Sequence, residues 1–234
     1  MPYKIIKLPN GKFAVINRVS GHHFSKGSTK KKAEAQMRLL QTKAKALDGA
    51  GMSGGTAGDN LLYKSMSDTD LHEYFPNARV LKYSELPVET PAEDFLKKGE
   101  VVYILYEAEE NSGHWVAMCR SAEPDCIYYF DAYSNPPDTP LKWVDDETNA
   151  RLGQSRKTLT QMFSITKIPV YYNNYAYQDK DDKRMATCGR WATSFLIHFK
   201  KYGGNLKSFK QEVFKQKREE KLPLDNLIAT KITK

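Results

Sequence analysis

The fold of this chain is decided by the stretch Met185-Ala-Thr-Cys-Gly-Arg-Trp-Ala-Thr-Ser-Phe-Leu-Ile-His-Phe199. Aromatic residues in and after this stretch recur at the spacing of one helix face: Trp191, Phe195, Phe199 and Tyr202. The pair Gly203-Gly204 follows them, as is common at the C-terminus of a helix. The pattern therefore predicts a buried helix whose first turn begins at or just after Cys188.

A cysteine at the start of a helix has two interpretations. The unpaired N–H groups and the positive end of the helix dipole stabilise a thiolate there, which lowers the pKa of the thiol. Cys188 would then be a nucleophile, and Gly189 beside it would let a substrate backbone approach closely. The alternative is that Cys188 is a small apolar residue packed at a helix start.

Two segments upstream favour the nucleophile. Residues 113–118 begin with Gly-His-Trp and predict the start of a strand, and residues 128–134 contain the end of the next strand. His114 and Asp131 would then lie side by side at one end of a sheet, with Cys188 against them. A thiol nucleophile needs a base, and the base needs an orienting carboxylate. Taken singly, His114 could be a core histidine and Asp131 a turn residue after a strand.

Together these features resemble the adenain/Ulp1-like cysteine peptidases, a group that includes the adenovirus maturation protease and the SUMO-specific proteases. The shared features are His-Trp on a strand, an Asp 17 residues later, a Gln before the cysteine, and Cys-Gly opening a buried helix. The pattern is most similar to the viral maturation branch, and the resemblance covers residues 96–202. Gln178 lies ten residues before Cys188, a few more than is usual in the family.

The resemblance implies a role for each of these residues. Cys188 would be the nucleophile, His114 its base and later proton donor, and Asp131 the group that orients the imidazole. Gln178 would donate a side-chain N–H to the oxyanion, with the main-chain N–H of Cys188 as its partner, unless it is an ordinary loop residue. Trp115 would form a wall of the substrate groove or, equally, pack as a core aromatic.

The remaining elements predict an α+β fold. Strands are expected over residues 77–83, 101–106, 114–120, 126–131 and 168–172. Helices are expected over residues 60–74, 158–163, 206–220 and 222–233. Consecutive strands predict a central, mainly antiparallel sheet with the nucleophile at the N-terminus of a buried helix packed on it. This is the papain-like or adenain-like architecture that the resemblance implies.

A basic unit precedes the peptidase-like region. Asn10-Gly11 between two apolar runs predicts a β-hairpin over residues 3–17, and an apolar stripe after it predicts a helix that ends near Leu47. The predicted unit is therefore ββα. Cationic side chains make its helix a candidate nucleic-acid contact, with a solvated basic face as the alternative: Lys30, Lys31, Lys32 and Arg38.

A Gly-rich stretch divides the chain into the basic unit (1–47), a linker (48–59) and a peptidase domain (60–234). Its plain interpretation is a flexible connection. The resemblance suggests more, because viral members of the family cleave after aliphatic-x-Gly-Gly and the linker contains Met52-Ser-Gly-Gly55. Glycine has no Cβ, so it fits a narrow groove before the scissile bond. The predicted self-cleavage site comprises three residues: Gly54, Gly55 and Thr56.

Composition limits the function classes further. The 234 residues carry a formal net charge of +8, a sign that favours polyanionic partners such as nucleic acid. No apolar stretch approaches the roughly 18 residues of a membrane span, and the first residues lack a secretory signal. The three cysteines are an odd number without a CxxC pair, which favours free thiols in a reducing compartment and disfavours a zinc site of Cys119, Cys126 and His114.

We therefore expect a cysteine endopeptidase of viral maturation type that cleaves capsid or core precursor proteins after Gly-Gly. The alternatives are a deubiquitinase or deSUMOylase acting on the Gly-Gly tails of ubiquitin-like modifiers, an acyltransferase with the same triad, and a non-enzymatic basic virion protein. The sequence requires no metal or other cofactor, although the resemblance allows DNA or a peptide activator. We expect a monomer in the virion and in the cytoplasm or nucleus of the host cell, neither secreted nor membrane-bound.

Overall fold

A computed structural model describes residues 3–17, 27–38, 61–181, 185–203 and 205–234 of the chain. This part of the chain is a mixed α+β structure with a two-stranded sheet near the N-terminus and a five-stranded central sheet. No helix in these ranges is long and apolar enough to cross a membrane. The same residues contain no group of three or more His, Cys, Asp and Glu side chains that could hold a metal ion.

The N-terminal sheet is the hairpin that Asn10-Gly11 predicts. Strand β1 (Tyr3–Lys7) pairs antiparallel with β2 (Phe13–Asn17), and Gly11 has a φ of 76° in the turn. Helix α1, over residues 30–38, packs on the hairpin through a small apolar cluster: Ile5, Phe13, Val15, Ala33 and Met37. The predicted end of this helix, the linker and the predicted cleavage site lie outside the described residues: Leu47, residues 48–59, and Gly54, Gly55 and Thr56.

The central sheet has its five strands in chain order: β3 (Arg79–Lys82), β4 (Val101–Glu109), β5 (Ser112–Ser121), β6 (Cys126–Asp131) and β7 (Val170–Tyr172). The inner strands β4, β5 and β6 are antiparallel neighbours, as predicted. The edge strands β3 and β7 instead run parallel to β4 and β6. The prediction of a mainly antiparallel sheet therefore needs correcting at both edges, where long connections containing helices return the chain in the same direction.

After α1, residues 61–63 are helical. The α-helices that follow are α2 (Asp68–Tyr74), α3 (Ala92–Phe95), α4 (Asp146–Arg151), α5 (Thr158–Ile165), α6 (Cys188–Tyr202), α7 (Leu206–Glu220) and α8 (Leu224–Lys231). One core cluster joins the sheet face that carries Tyr103 and Leu105 to α2, α6, α7 and α8. A second cluster joins the opposite face, with Val102 and Ile104, to α3 and α5. Because both faces are covered, the inner strands are almost continuously buried.

Helix α6 presents the predicted nucleophile. It begins at Cys188 and ends before Gly203, whose φ of 58° is the left-handed conformation favoured by glycine at this position. Its inward face packs against the sheet through Trp191 and Phe195, which are almost completely buried. The prediction of a buried helix that opens at the cysteine is confirmed.

A buried arginine fastens the first turn of α6. Arg190 is 0% exposed, and its guanidinium donates to the main-chain oxygens of Lys64, Ile232 and Lys234. Burial lowers the pKa of Arg190 to about 10, so the side chain is still a cation at neutral pH. The rigid fork of guanidinium donors lets one side chain join segments that precede and follow the helix. The start of α6 is thereby held in place from two directions.

Candidate active site

The predicted base and carboxylate meet at one end of β5 and β6. Val116 is paired with Asp131 in the register of these strands, so His114, two residues from Val116, lies on the same face of the sheet. Nε2 of His114 is 3.2 Å from Oδ1 of Asp131, without the geometry of a full hydrogen bond. Only 1% of the His114 side chain and 0% of the Asp131 side chain are exposed.

The carboxylate of Asp131 is fixed by the chain that follows β6 and by the residue after β7. The main-chain N–H of Tyr133 donates to Oδ1 at 2.7 Å, and Nδ2 of Asn135 lies 3.4 Å from Oδ2. Asn173 holds the main chain, because its Oδ1 accepts from the N–H of Asp131 and its Nδ2 donates to the oxygen of Asp131. These bonds fix the carboxylate beside the imidazole.

The imidazole of His114 packs against two aromatic rings that also contact each other. The ring of Tyr133 stacks on it with centroids 5.2 Å apart and an interplanar angle of 22°. The indole of Trp143 meets it edge-on, with centroids 5.0 Å apart and an angle of 64°. Contact with a ring face and with a ring edge limits rotation of the imidazole about its side-chain bonds, so its nitrogens keep their orientation.

The pKa of the Cys188 thiol reflects competing effects. Burial raises this pKa, because Cys188 is only 8% exposed. A hydrogen bond with His114, the charge of His114, and hydrogen bonds from the main-chain N–H groups of Trp115 and Gly189 lower it. The lowering effects prevail, so the pKa of Cys188 lies below the ordinary value of a thiol. A buried cysteine without such partners shows the opposite shift.

The pKa of His114 moves in the complementary direction. Burial lowers it, but the charge and close contact of the Asp131 carboxylate, followed by a hydrogen bond with Cys188 and the charge of its sulfur, raise it above the ordinary value of a histidine. A lowered thiol pKa beside a raised imidazole pKa favours a thiolate paired with an imidazolium. The site therefore has the electrostatics of an activated sulfur nucleophile.

Trp115 and Gly189 have packing roles in the structure. Trp115 is 4% exposed, and its Nε1 donates to the main-chain oxygen of Met66 at 2.9 Å. A Cβ added to Gly189 would lie 3.2 Å from Cδ1 of Trp115 and 3.1 Å from Cβ of Met66. The glycine therefore allows the start of α6 to pack closely on β5. Core packing accounts for both residues, and their contact with a substrate stays a prediction.

Gln178 lies in a buried segment that is bonded to the end of β6. Its main-chain N–H donates to the oxygen of Ala132, the residue after Asp131, at 3.1 Å. Nε2 of its side chain donates to the oxygen of Met185 at 2.9 Å, and the residue is 3% exposed. The amide is thus fixed on the segment that leads into Cys188. Its donation to an oxyanion stays a prediction.

The four cations predicted to contact nucleic acid differ in exposure: Lys30 and Lys31 are exposed, and Lys32 and Arg38 are partly buried. Lys30 and Lys32 line a cleft of about 680 Å³ together with acidic residues at the start of α4: Asp145, Asp146 and Glu147. Arg38 forms a hydrogen bond with Tyr133, the residue that stacks on His114. The nucleic-acid hypothesis stays a prediction, and α1 reaches the edge of the candidate active site.

Several residues of the site were missed in the sequence: Tyr133, Trp143 and Asn173. Tyr133 and Asn173 each closely follow a predicted strand, and this position was the available signal for both. Trp143 lies in a segment of unassigned structure in the sequence. Cys119 and Cys126, predicted to be poor nucleophiles, are buried in strands, and burial raises the pKa of both thiols.

Comparisons with known proteins include a similar viral protein and a weakly similar solved structure. No protein-family model matches the chain. Uncharacterized protein V9 of Sputnik virophage is 27% identical over 153 residues, which are 62% of this chain and 86% of that protein. The crystal structure of a de-sumoylating protease aligns with 99% of this chain and 90% of its own, at 12% identity and a TM-score of 0.32.

We predict that iodoacetamide alkylates Cys188 at a lower pH than an ordinary cysteine. The thiolate is the reactive form, and a lowered pKa preserves it as the pH falls below about 8.5, where a free thiol becomes protonated. Residue-resolved mass spectrometry of alkylation rates measures the profile. Cys119 and Cys126 serve as internal controls and should stay unlabelled while the protein is folded. His114→Ala should move the Cys188 profile to higher pH, and coincident profiles would contradict the ion pair.

Proposed function

We propose that this protein is a cysteine endopeptidase that uses Cys188, His114 and Asp131. The observation that carries the proposal is a buried thiol in contact with a buried imidazole, which itself faces a buried carboxylate at 3.2 Å. Burial alone raises the pKa of a thiol, as it does for Cys119, whereas the pKa of Cys188 is lowered. Such an arrangement supports acyl transfer through a thioester.

The proposed reaction has two steps. The sulfur of Cys188 attacks the scissile carbonyl, the C–N bond breaks, and His114 donates a proton to the leaving amine. His114 then takes a proton from a water molecule that attacks the thioester, which releases the acid and restores the sulfur. Asp131 stabilises the imidazolium, which is present before the first step and forms again in the second. Because Nε2 of His114 faces Asp131, Nδ1 is the nitrogen assigned to the sulfur.

Two donors are proposed for the oxyanion. The main-chain N–H of Cys188 is one, because the first residues of a helix have no intrahelical acceptor for this group. The side chain of Gln178 is the other, since its Nε2 carries two N–H groups and one of them is directed to Met185. Preformed donors of this kind stabilise the charge that develops on the carbonyl oxygen.

The proposed substrates are viral capsid or core precursor proteins with Gly-Gly before the scissile bond. The support is the motif Met52-Ser-Gly-Gly55, which matches the cleavage preference of the viral peptidases that the sequence resembles. The similarity to a virophage protein agrees with a viral setting. Activation by DNA or by a peptide belongs to the same proposal and derives from the resemblance alone.

Self-processing between Gly55 and Thr56 is part of the proposal. Arg38 bonds Tyr133 next to His114, so the basic unit reaches the edge of the site. Cys188 and His114 are almost entirely buried, although a peptide must reach the sulfur to be cleaved. We infer that removal of residues 1–55 opens the site to substrates.

The first test is turnover of a fluorogenic peptide with Met-Ser-Gly-Gly on the acyl side. Cys188→Ala should lower kcat/KM by at least about 10⁴-fold, because the nucleophile is lost. Gln178→Ala should lower kcat by about a hundredfold through loss of an oxyanion donor. The matched control Cys119→Ala removes a buried thiol outside the site and should leave turnover unchanged. An equal loss of turnover in Cys188→Ala and Cys119→Ala would contradict the assignment of Cys188 as the nucleophile.

The choice of substrate separates this proposal from its alternatives. Cleavage of ubiquitin or SUMO fluorogenic conjugates without cleavage of the short peptide would assign the site to modifier tails. Acetyl transfer to a protein without hydrolysis of either substrate would assign it to acyl transfer. We expect cleavage of the peptide, and replacement of its Gly-Gly by Ala-Ala should abolish cleavage because the added Cβ atoms do not fit the groove.

Self-processing is tested by following the intact mass of the purified protein over time. The wild type should lose residues 1–55, whereas Cys188→Ala should keep its full mass under the same conditions. The truncated wild type should then cleave the peptide faster than the full-length protein does. A wild type that stays whole while it cleaves the peptide in trans would contradict self-processing and leave the peptidase assignment standing.

A further inference from the structure

A buried carboxylate on α8 accepts hydrogen bonds from two residues that adjoin members of the candidate active site in the chain. Oδ2 of Asp225 accepts from the main-chain N–H of Asp179 at 2.8 Å. Oδ1 accepts from the hydroxyl of Thr187 and, at 3.2 Å, from Nε1 of Trp191. Asp225 is 4% exposed, so these contacts form away from bulk water.

The three donors occupy informative positions in the chain. Asp179 follows Gln178, the proposed oxyanion donor, and Thr187 precedes Cys188. Trp191 lies one turn into α6, on the side that faces the core. One carboxylate therefore connects the residue after the oxyanion donor with the residue before the nucleophile. The segment between these two residues carries the oxygen of Met185, which accepts from the side chain of Gln178.

The donors compensate part of the cost of burying this carboxylate. Burial raises the pKa of Asp225, while the bonds from Thr187, Asp179 and Trp191 lower it, and the net shift is upward. The charged groups that face Asp225 include Asp179, and the charge of Asp179 also raises the pKa of Asp225. A group this costly to bury must be matched by good geometry at each donor.

We propose that Asp225 is a positioning residue that sets the separation between the Gln178 amide and Cys188, and so keeps the oxyanion site assembled. The proposal rests on the peptidase function proposed above. Without the carboxylate, Asp179 and Thr187 have no common acceptor, and their separation is no longer fixed by it. Gln178 would then move relative to the main-chain N–H of Cys188.

Asp225→Asn is the sharpest variant, because it preserves size but leaves a single acceptor oxygen. If that oxygen keeps the hydrogen bonds from Thr187 and Trp191, the new NH₂ group faces the main-chain N–H of Asp179 and cannot accept from it. We expect kcat for the Gly-Gly peptide to fall about ten- to a hundredfold, with KM little changed. The upper limit is the fall expected when one oxyanion donor is lost. Alkylation of Cys188 needs no oxyanion site, so its rate should stay near that of the wild type.

Further variants serve as a second probe and a control. Thr187→Val removes one donor with little change in shape and should lower kcat in the same way, which keeps the proposal testable if Asp225→Asn fails to fold. Asp68→Asn makes the matched change at an exposed carboxylate on α2 and should leave kcat, KM and alkylation unchanged. Thermal unfolding identifies any variant that has lost its fold.

The outcomes separate this proposal from the proposed function. Turnover by the wild type decides the function, and the ratio of variant to wild type decides the role of Asp225. Full kcat in folded Asp225→Asn would overturn the positioning role. An equal fall in kcat and in alkylation of Cys188 would also overturn it, because the defect would then lie in the thiol and imidazole. Loss of kcat with normal alkylation supports the proposal.

Discussion

The contact between Cys188 and His114 is the interaction on which the rest of the site depends. Each group is almost completely buried, and burial alone opposes ionisation of either one. Paired, the thiolate and the imidazolium stabilise each other, and Asp131 adds a second anion beside the imidazole. The sheet, the aromatic rings around His114 and the start of α6 all serve to keep this pair together in a site with little water.

Polar groups buried at the start of a helix are costly, and this chain concentrates several of them there. Arg190 bonds main-chain oxygens on both sides of α6, and Asp225 joins Thr187 to Asp179. Such contacts contribute less to stability than apolar packing of the same volume would, because each charge must be desolvated. They are directional, however, and direction is what a reacting sulfur and its oxyanion donors require.

Much of the site could be predicted because local patterns encode it. The ends of two strands place His114 beside Asp131, and aromatic periodicity places Cys188 at a helix start. The parallel edges of the sheet were not predicted, since a strand's direction there depends on the long connection before it. Asp225 was not predicted either, because its donors lie 34 to 46 residues away and packing of α8 alone brings them together. Packing on Trp115 accounts for Gly189, whose contact with a substrate stays a prediction.

The most direct measurement is covalent capture with Met-Ser-Gly-Gly carrying a vinyl methyl ester in place of its terminal carboxyl, followed by residue-resolved mass spectrometry. A thiolate adds to the vinyl group, so capture requires both activation of the sulfur and recognition of Gly-Gly. We expect one adduct per chain, on Cys188, and none in His114→Ala. An adduct spread over Cys119 and Cys126, or one that His114→Ala leaves undiminished, would contradict this expectation.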